Sequence, residues 1–259
     1  MSSTQSSAAS KSRNRQQQQQ HTFAVQKIVE SANSLPAQDF FAAYCPAELI
    51  VEISDFSLDG MLKLSIKWGG PVQLGCHLQT CFNLIEETSA NDYRHSEMKW
   101  SSAKKQKEMV LPDLRYIILM DQSTTQIGTN EPVAAGFISF MITYEDGHEV
   151  VYIYEIHFAP PWQGKGLGKK LMNIVETIGR NAGVEKSMLT VFKANDRAVT
   201  WYLRQGYSED EFSPGPRRLR NGTVKEPSYM ILSKNLRASP SAEDRSRIGQ
   251  DARLEETGR

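Results

Sequence analysis

The string EVVYIYEIHFAPPWQGKGLG, at residues 149–168, decides the fold. Its first ten residues are mostly β-branched or aromatic, which is typical of a strand. Glycines at positions 164, 166 and 168 follow, and beyond them apolar residues recur at helical spacing: Leu167, Leu171, Ile174, Val175 and Ile178. A strand, a glycine-rich turn and a helix in this order predict an anion site, because the first amides of a helix lack partners and glycine lets the backbone approach a ligand.

On both sides of this string, apolar residues recur at helical spacing in some segments and at strand spacing in others. This alternation predicts one α/β domain over residues 22–236. An Asp-Gly pair within 145–148 predicts a hairpin between Val133–Tyr144 and Glu149–Phe158, because glycine accepts positive φ in a tight turn. We predict further helices over Thr22–Ser34, Leu78–Glu87 and Ser101–Val110, and one that starts after Asn195 as its N-cap. We predict further strands over Leu49–Ile53, Leu62–Trp68, Arg115–Asp121 and Met188–Phe192, the first two joined by a turn through Asp59-Gly60.

Composition restricts the partners. Lys and Arg number 30, as do Asp and Glu, so no net field draws the chain to nucleic acid or to an anionic membrane, and we expect neither partner for the core.

The three cysteines, Cys45, Cys76 and Cys81, lack zinc-ligand spacing, so we expect reduced thiols and no metal. No run of eighteen apolar residues and no signal-peptide pattern occurs, so we expect a protein that is neither secreted nor membrane-spanning.

Both ends have compositions typical of disorder. Residues 1–21 are rich in Ser, Gln and basic residues, and residues 237–259 mix charges with Ser and Gly without an apolar period. The basic residues Lys11, Arg13 and Arg15 favour a solvated tail, and the alternatives are a weak nuclear import signal or a nucleic-acid contact.

The glycine-rich turn admits several interpretations by itself. A tight strand-to-helix connection is as good an explanation as a ligand site, and the spacing fits neither a Walker A loop nor a dinucleotide fingerprint. Gln163, Gly166 and Gly168 do resemble the Gln/Arg-x-x-Gly-x-Gly/Ala turn of the GNAT superfamily of N-acetyltransferases. The resemblance implies a mixed twisted central sheet flanked by helices, with an N-terminal helical extension, and acetyl-CoA bound with its pyrophosphate on this turn.

A second block supports the same resemblance. Asn195, Ala198, Trp201 and Tyr202 precede Gly206-Tyr207 in a pattern similar to the next element of that superfamily. In such proteins the Asn side lines the pantetheine arm, and the Tyr is often placed to protonate the leaving thiolate. Packing behind the coenzyme is an equally good interpretation of Tyr202, because amphipathic helices bury tyrosines.

Two strands narrow the resemblance further. Residues 149–156 and 189–193, together with the Ser-Tyr-x-Ile-Leu pattern at 228–232, resemble the NatD family of N-terminal acetyltransferases, which act on histone H4 and histone 2A. This implies direct acetyl transfer to the N-terminal Ser of Ser-Gly-Arg-Gly tails, by a monomer in the cytoplasm and the nucleus. A lysine or small-amine N-acetyltransferase, or an acyl-CoA-binding module, is the alternative.

The resemblance also assigns residues to roles. Glu155 and Tyr154 are the predicted catalytic residues. The predicted coenzyme contacts are Ile156, His157, Phe158, Gln163, Gly164, Lys165, Gly166, Leu167, Gly168, Thr190, Asn195 and Tyr202. The predicted substrate contacts are Tyr93, Thr143, Tyr152, Tyr154 and Tyr229.

Glu155 is also the residue that the sequence itself singles out. It lies in an apolar strand, where burial is expected to raise the pKa of its carboxyl toward that of a general base; a salt bridge at the strand end is the alternative. His157 lies on the same face of the strand as Glu155 and is the weaker candidate base. Two positions depart from the NatD pattern: Met98 replaces an aromatic residue and Thr143 replaces an acidic one.

Overall fold

Residues 28–54, 57–58, 62–125 and 132–237 are described by a computed structural model of the protein. The first described helix spans residues 28–34 (α1) and ends just before Leu35-Pro36, as predicted. The start of the predicted helix at Thr22 lies outside the described residues, as do the Asp59-Gly60 turn and, apart from Arg237, both predicted tails.

The order of elements alternates helices and strands as the sequence predicts. The remaining helices are α2 (Ala37–Tyr44), α3 (Ala47–Ser54), α4 (Pro71–Leu74), α5 (His77–His95), α6 (Ser102–Met109), α7 (Leu167–Ala182) and α8 (Asp196–Arg204). The strands are β1 (Ser57–Leu58), β2 (Leu62–Gly69), β3 (Arg115–Thr125), β4 (Pro132–Glu145), β5 (His148–Phe158), β6 (Lys186–Phe192), β7 (Ser208–Glu209), β8 (Arg217–Arg218), β9 (Val224–Lys225) and β10 (Tyr229–Asn235).

Eight strands form one mixed sheet in the order β1-β2-β3-β4-β5-β6-β10-β7. Every neighbouring pair is antiparallel except β5 and β6, which are parallel and joined through α7. The predicted β4–β5 hairpin is confirmed: Glu145 pairs with His148, and Asp146 and Gly147 between them have φ of 47° and 90°. Two positive φ values in a two-residue loop are the geometry of the favoured hairpin turn.

The sheet has a hydrophobic core on each face. Along β3, Ile117 and Leu119 belong to one core, while Tyr116 and Ile118 belong to the other, as the period of two requires. The first core is covered by α1, α2 and α7, and the second by α5 and α6. The five apolar residues predicted to share one face of α7 are all at most 1% exposed.

One predicted strand is wrong and one predicted helix is too short. Residues 49–53 belong to helix α3, in which Leu49 and Ile50 pack against the core beside α7. The β-branched composition favoured a strand, but packing outweighs the small differences in propensity. The helix predicted to end at Glu87 extends to His95, which places Tyr93 on α5. No helix within the described ranges is long and apolar enough to cross a membrane.

Candidate active site

A gap inside the sheet creates the main cavity. The ladder between β5 and β6 joins Val150–Ile153 to Lys186–Leu189 and stops there, so the later residues of both strands diverge and line a cavity of about 1310 Å³. On its other side, β5 has a bulge at Tyr154, because Ser139 pairs with Glu155 while Phe140 pairs with Ile153. A bulge leaves one residue out of the ladder and redirects the side chains that follow.

The glycine-rich turn closes one end of this cavity. Gly164 and Gly166 have φ of 72° and 80°, values that favour glycine, and Gly166 is the residue before α7 begins at Leu167. The amides of the first turn of α7 therefore start next to the cavity wall, where the helix dipole is positive. Gln163 braces the turn by donating a hydrogen bond to the Phe158 carbonyl at 3.0 Å.

Helix α8 lies against the same end. A Cβ at Gly168 would be 3.2 Å from Trp201 Cζ2, so glycine there permits close packing of α7 on α8. Asn195 caps α8 as predicted, accepting a hydrogen bond from the Ala198 amide at 3.1 Å.

Four basic side chains on the glycine-rich turn, α7 and α8 line the cavity: Lys165, Lys169, Arg197 and Arg204. Asp196 is the acidic residue that lines the cavity on these elements.

Three carboxylates line the opposite side, on β4, β5 and α6: Glu145, Glu155 and Glu108. Tyrosines accompany them. Tyr93, Tyr152 and Tyr154 also line the cavity, and burial is the main cause that raises the pKa of each. Their hydroxyls therefore stay protonated at neutral pH and can donate hydrogen bonds. The cavity therefore has a basic end at the glycine-rich turn, called the anion end below, and a carboxylate end, where Lys105 pairs with Glu155 and Glu108.

Glu155 is the carboxylate of this set on β5, and it is 8% exposed. Its Oε1 accepts a hydrogen bond from Lys105 Nζ at 2.7 Å, and its Oε2 is 2.5 Å from His157 Nε2. Burial by itself favours the neutral acid, but Lys105 and His157 outweigh it and lower the pKa of Glu155 to about 2. The prediction of a raised pKa is therefore wrong, because it counted burial without the cation on α6.

His157 shares the face of β5 with Glu155, as predicted, and links it to α5. Its Nδ1 is 2.6 Å from Thr88 Oγ1, and the same hydroxyl donates to the Leu84 carbonyl at 2.6 Å. A hydroxyl has one hydrogen and a carbonyl can only accept, so Thr88 gives its hydrogen to Leu84 and accepts one from His157. The Thr-His-Glu sequence of contacts resembles a hydrolase triad, but Thr88 is an acceptor here and is not activated as a nucleophile.

Tyr152 bridges the two strands where they begin to diverge. Its hydroxyl is 2.6 Å from Thr190 Oγ1 on β6, one residue beyond the last paired position. Burial raises the pKa of Tyr152 to about 12. The bond holds β5 and β6 at a fixed separation at the narrow end of the gap.

Tyr202 lines the cavity and packs between Trp201 and Tyr207, with ring centroids 5.0 and 6.0 Å away. Burial, with a smaller contribution from the charge of Glu155, raises its pKa. Both interpretations of this residue, acid and packing aromatic, fit this position.

The cavity wall includes most of the residues predicted for the site. Those that line it are Tyr93, Tyr152, Tyr154, Glu155, Ile156, His157, Phe158, Gln163, Gly164, Lys165, Gly166, Leu167, Gly168, Thr190, Asn195 and Tyr202. Thr143 and Tyr229 are not among the lining residues, and Glu145, two positions after Thr143, faces the cavity instead.

Sequence reasoning missed the helical wall of the site. Thr88, Lys105 and Glu108 all line the cavity from α5 and α6. One signal was available for Lys105: it lies four residues before Met109, and these two are the buried residues of α6. A lysine on the apolar face of a helix indicates a buried partner.

No cysteine lines the cavity within the described part of the chain, and burial raises the pKa of Cys45 to about 12. A thiolate nucleophile is therefore disfavoured. Among the residues that the structure describes, no cluster of three His, Cys, Asp or Glu side chains is arranged to hold a metal ion.

Comparison with known proteins relates this site to a family. The acetyltransferase (GNAT) family matches residues 83–207. N-alpha-acetyltransferase 40 of Saccharomyces cerevisiae is 30% identical, over 54% of this chain and 54% of that protein. The uncharacterized N-acetyltransferase YycN of Bacillus subtilis is 27% identical, over 32% of this chain and 53% of that protein. The chain thus spans about half the length of these curated relatives.

Among solved structures, Arabidopsis thaliana NAA60 in complex with acetyl-CoA is 16% identical, with a TM-score of 0.48 over 68% of this chain and 100% of that one. The family match runs from within α5 to just beyond the end of α8 and includes the glycine-rich turn and the strand of Glu155. Residues 83–207 of this chain are thus similar to GNAT-family acetyltransferases, and the mixed sheet flanked by helices is the fold that this resemblance implies.

Proposed function

We propose that this protein is an acetyl-CoA-dependent N-terminal α-amino acetyltransferase of the NatD type, which acetylates the N-terminal Ser of histone H4 and histone 2A. The single observation that carries the proposal is the asymmetry of the cavity, with basic groups and helix amides at one end and carboxylates with tyrosines at the other. A donor with a pyrophosphate and a cationic peptide acceptor need these opposite surroundings. The similarity to yeast N-alpha-acetyltransferase 40 supports the α-amine as the acceptor.

The anion end fits acetyl-CoA. Gly164 and Gly166 adopt positive φ with no other side chain within 4 Å of a Cβ, so the turn is open on the side where the pyrophosphate would lie. Lys165 and Lys169 supply cations beside it. Along the gap, residues 154–158 of β5 have no β6 partner, so their backbone groups can pair with the amides of a pantetheine arm. When bound, acetyl-CoA supplies the activated acetyl group.

The opposite end fits the start of a Ser-Gly-Arg-Gly peptide. Glu145 offers a carboxylate to an arginine side chain, and Glu108 has its second oxygen left beside the bond to Lys105. Tyr152 and Tyr154 offer hydroxyls to peptide carbonyls. The position of Glu145 offsets the departure at Thr143, because it restores an acidic side chain to this side of the cavity. Arginine recognition by Glu145 is therefore part of the proposal.

Acetylation of an α-amine requires only modest help from a general base. An α-amino group has a pKa of about 7.7 to 8.0, so a substantial fraction is neutral near pH 8 without help. Glu155, held ionised between Lys105 and His157, orients the acceptor amine or its bridging water and stabilises positive charge there. With no activated cysteine at the wall, direct transfer from the thioester to the amine is the economical route.

A peptide assay tests the proposal. The protein is incubated with acetyl-CoA and peptides that begin Ser-Gly-Arg-Gly or Ser-Gly-Ala-Gly, each with a free or a blocked α-amine and an internal lysine. We expect acetylation of the free α-amine of the first peptide, a loss of at least tenfold in kcat/KM with alanine, and no product from the blocked peptides. Acetylation of lysine alone would refute the α-amine assignment and favour a lysine N-acetyltransferase.

A matched variant locates the arginine contact. Glu145→Gln should lower kcat/KM for the arginine peptide and leave that for the alanine peptide within twofold. Asp146→Asn, at the tip of the same hairpin, is the control, because Asp146 is not among the cavity-lining residues. Equal losses on both peptides would contradict the role of Glu145.

A further inference from the structure

Lys105 is a buried cation whose role in the proposed reaction has so far been limited to keeping Glu155 ionised. Its side chain is 6% exposed. The ammonium has three hydrogens and three acceptors: Tyr93 Oη at 2.8 Å, Glu108 Oε1 at 2.6 Å and Glu155 Oε1 at 2.7 Å. Every hydrogen of the ammonium therefore has a partner.

The surroundings show why this ammonium remains charged. Burial by itself lowers the pKa of a lysine, but Glu155, Tyr93 and Glu108 outweigh burial and raise that of Lys105. A buried ion pair is a poor source of stability compared with apolar packing, because both charges lose hydration. A lysine that is buried in this way at the wall of a cavity therefore points to a role in the cavity.

We infer that Lys105 is a positioning residue for acetyl transfer, which fixes the Glu155 carboxylate and aims the Tyr93 hydroxyl at the acceptor. This inference rests on the proposed function. One oxygen of Glu155 is held by Lys105 and the other by His157, so the carboxylate has a single orientation. A carboxylate that is already held in one orientation speeds the reaction, because less conformational entropy is lost on reaching the transition state.

The same ammonium orients Tyr93. Because Lys105 donates to the phenol oxygen, the phenol hydrogen must point elsewhere. The hydroxyl donates to Glu155 Oε1 at 3.4 Å, which is long and therefore weak for a hydrogen bond. Because Tyr93 lines the cavity, its hydroxyl can exchange this weak bond for one to a carbonyl of the acceptor peptide. Tyr93 also packs edge-on against Phe192 of β6, at 4.9 Å between centroids, which holds the ring in place.

The groups that face Glu155 come from five elements. Tyr93 on α5, Tyr116 on β3 and Tyr202 on α8 have pKa values raised chiefly by burial, so they stay neutral near pH 7. Lys105 and Glu108 on α6 and His157 on β5 complete the set. Burial raises the pKa of Glu108 against the opposing effect of Lys105. Lys105 and His157 together keep Glu155 ionised, and the charge of Lys105 is the largest single contribution.

The test compares Lys105→Met with Lys104→Met, which removes the exposed lysine that precedes it on α6. We expect Lys105→Met to lower kcat for the Ser-Gly-Arg-Gly peptide by about 10- to 100-fold, with KM for acetyl-CoA within twofold of the wild type. The acidic limb of its pH–rate profile should move to higher pH, because Glu155 then protonates more easily. Lys104→Met should match the wild type, and Lys105→Arg should recover part of the rate, because it restores the cation.

A second neutral variant and a second readout complete the test. If Lys105→Met does not fold, Lys105→Gln, which keeps hydrogen-bond donors without the charge, replaces it with the same expectations. Unchanged kcat and an unchanged pH profile in a folded variant overturn the inference.

Carbon NMR of the Glu155 carboxyl separates this inference from the proposed function, because it requires no turnover. If the wild type acetylates no α-amine, the proposed function fails, while the NMR titration still tests the charge pair. The signal should stay constant from pH 7 to pH 4 in the wild type and should titrate in Lys105→Gln. Identical titrations overturn the inference.

Discussion

Replacing the buried carboxylate of Glu155 should reveal how much the charged cluster contributes to folding. The pKa of Glu155 is lowered to about 2, against about 4.3 for glutamate in an unfolded chain. At 1.36 kcal/mol per pKa unit, the folded state gains about 3 kcal/mol from ionised Glu155 at neutral pH. Glu155→Gln should therefore lower the free energy of unfolding at pH 7 by about 3 kcal/mol.

The dependence on pH gives the sign of the effect. A carboxyl whose pKa is lowered by folding contributes stability above its unfolded pKa, and the contribution is lost as pH falls toward the folded pKa. The difference between wild type and Glu155→Gln should therefore be largest near pH 7 and should shrink as the pH falls below about 4.3 toward about 2.

Urea unfolding followed by tryptophan fluorescence measures both quantities. Glu87→Gln, on the exposed face of α5, is the control and should stay within about 0.5 kcal/mol of the wild type. A difference below about 1 kcal/mol at pH 7, or one that does not change with pH, would refute the ion-pair reasoning.

Three backbone positions give further predictions, all measured by the same unfolding experiment. Gly166→Ala should cost about 1 to 2 kcal/mol, because φ is 80° and no heavy atom lies within 4 Å of the new Cβ, so the cost is conformational; no loss would contradict the left-handed turn. Gly136→Ala should cost more, about 3 kcal/mol, because its Cβ would lie 2.2 Å from Phe158 Cδ1 and 2.8 Å from a backbone oxygen, and a smaller cost than at Gly166 would disprove the close approach of β4 to β5. Asn195→Ala should cost about 1 kcal/mol by removing the cap of α8, whereas Asn195→Asp should restore most of it, and equal stability of the two variants would argue against capping.

Local signals in the sequence were sufficient for much of the fold. The β4–β5 hairpin depends on Asp146-Gly147, and the start of α7 depends on the glycines before it, so each can be recognised within a few residues. The strand predicted at 49–53 failed for the opposite reason. Its helical state depends on packing of Leu49 and Ile50 against distant parts of the core, which no short window contains.

The residues of the site also differ in whether a short stretch of sequence reveals them. The turn and Glu155 lie in one continuous segment and could be identified there. The partners of Glu155 include Lys105, 50 residues away, and His157 reaches Thr88, 69 residues away. The predicted direction of the Glu155 pKa was wrong because the sequence shows burial of a strand more readily than it shows which distant cation the strand meets.

The divergence of β5 from β6 has a consequence for how the chain avoids self-association. An unpaired strand edge on the outside of a sheet invites pairing with other chains and aggregation. Here the edge of β5 beyond Ile153 opens into an interior cavity whose opposite wall is β6. Because β6, β10 and β7 continue the sheet on the far side of the cavity, this unpaired edge does not lie at an end of the sheet. The fold thus keeps the hydrogen-bonding groups of β5 available to a ligand without presenting them as an outer edge to the sheet of another chain.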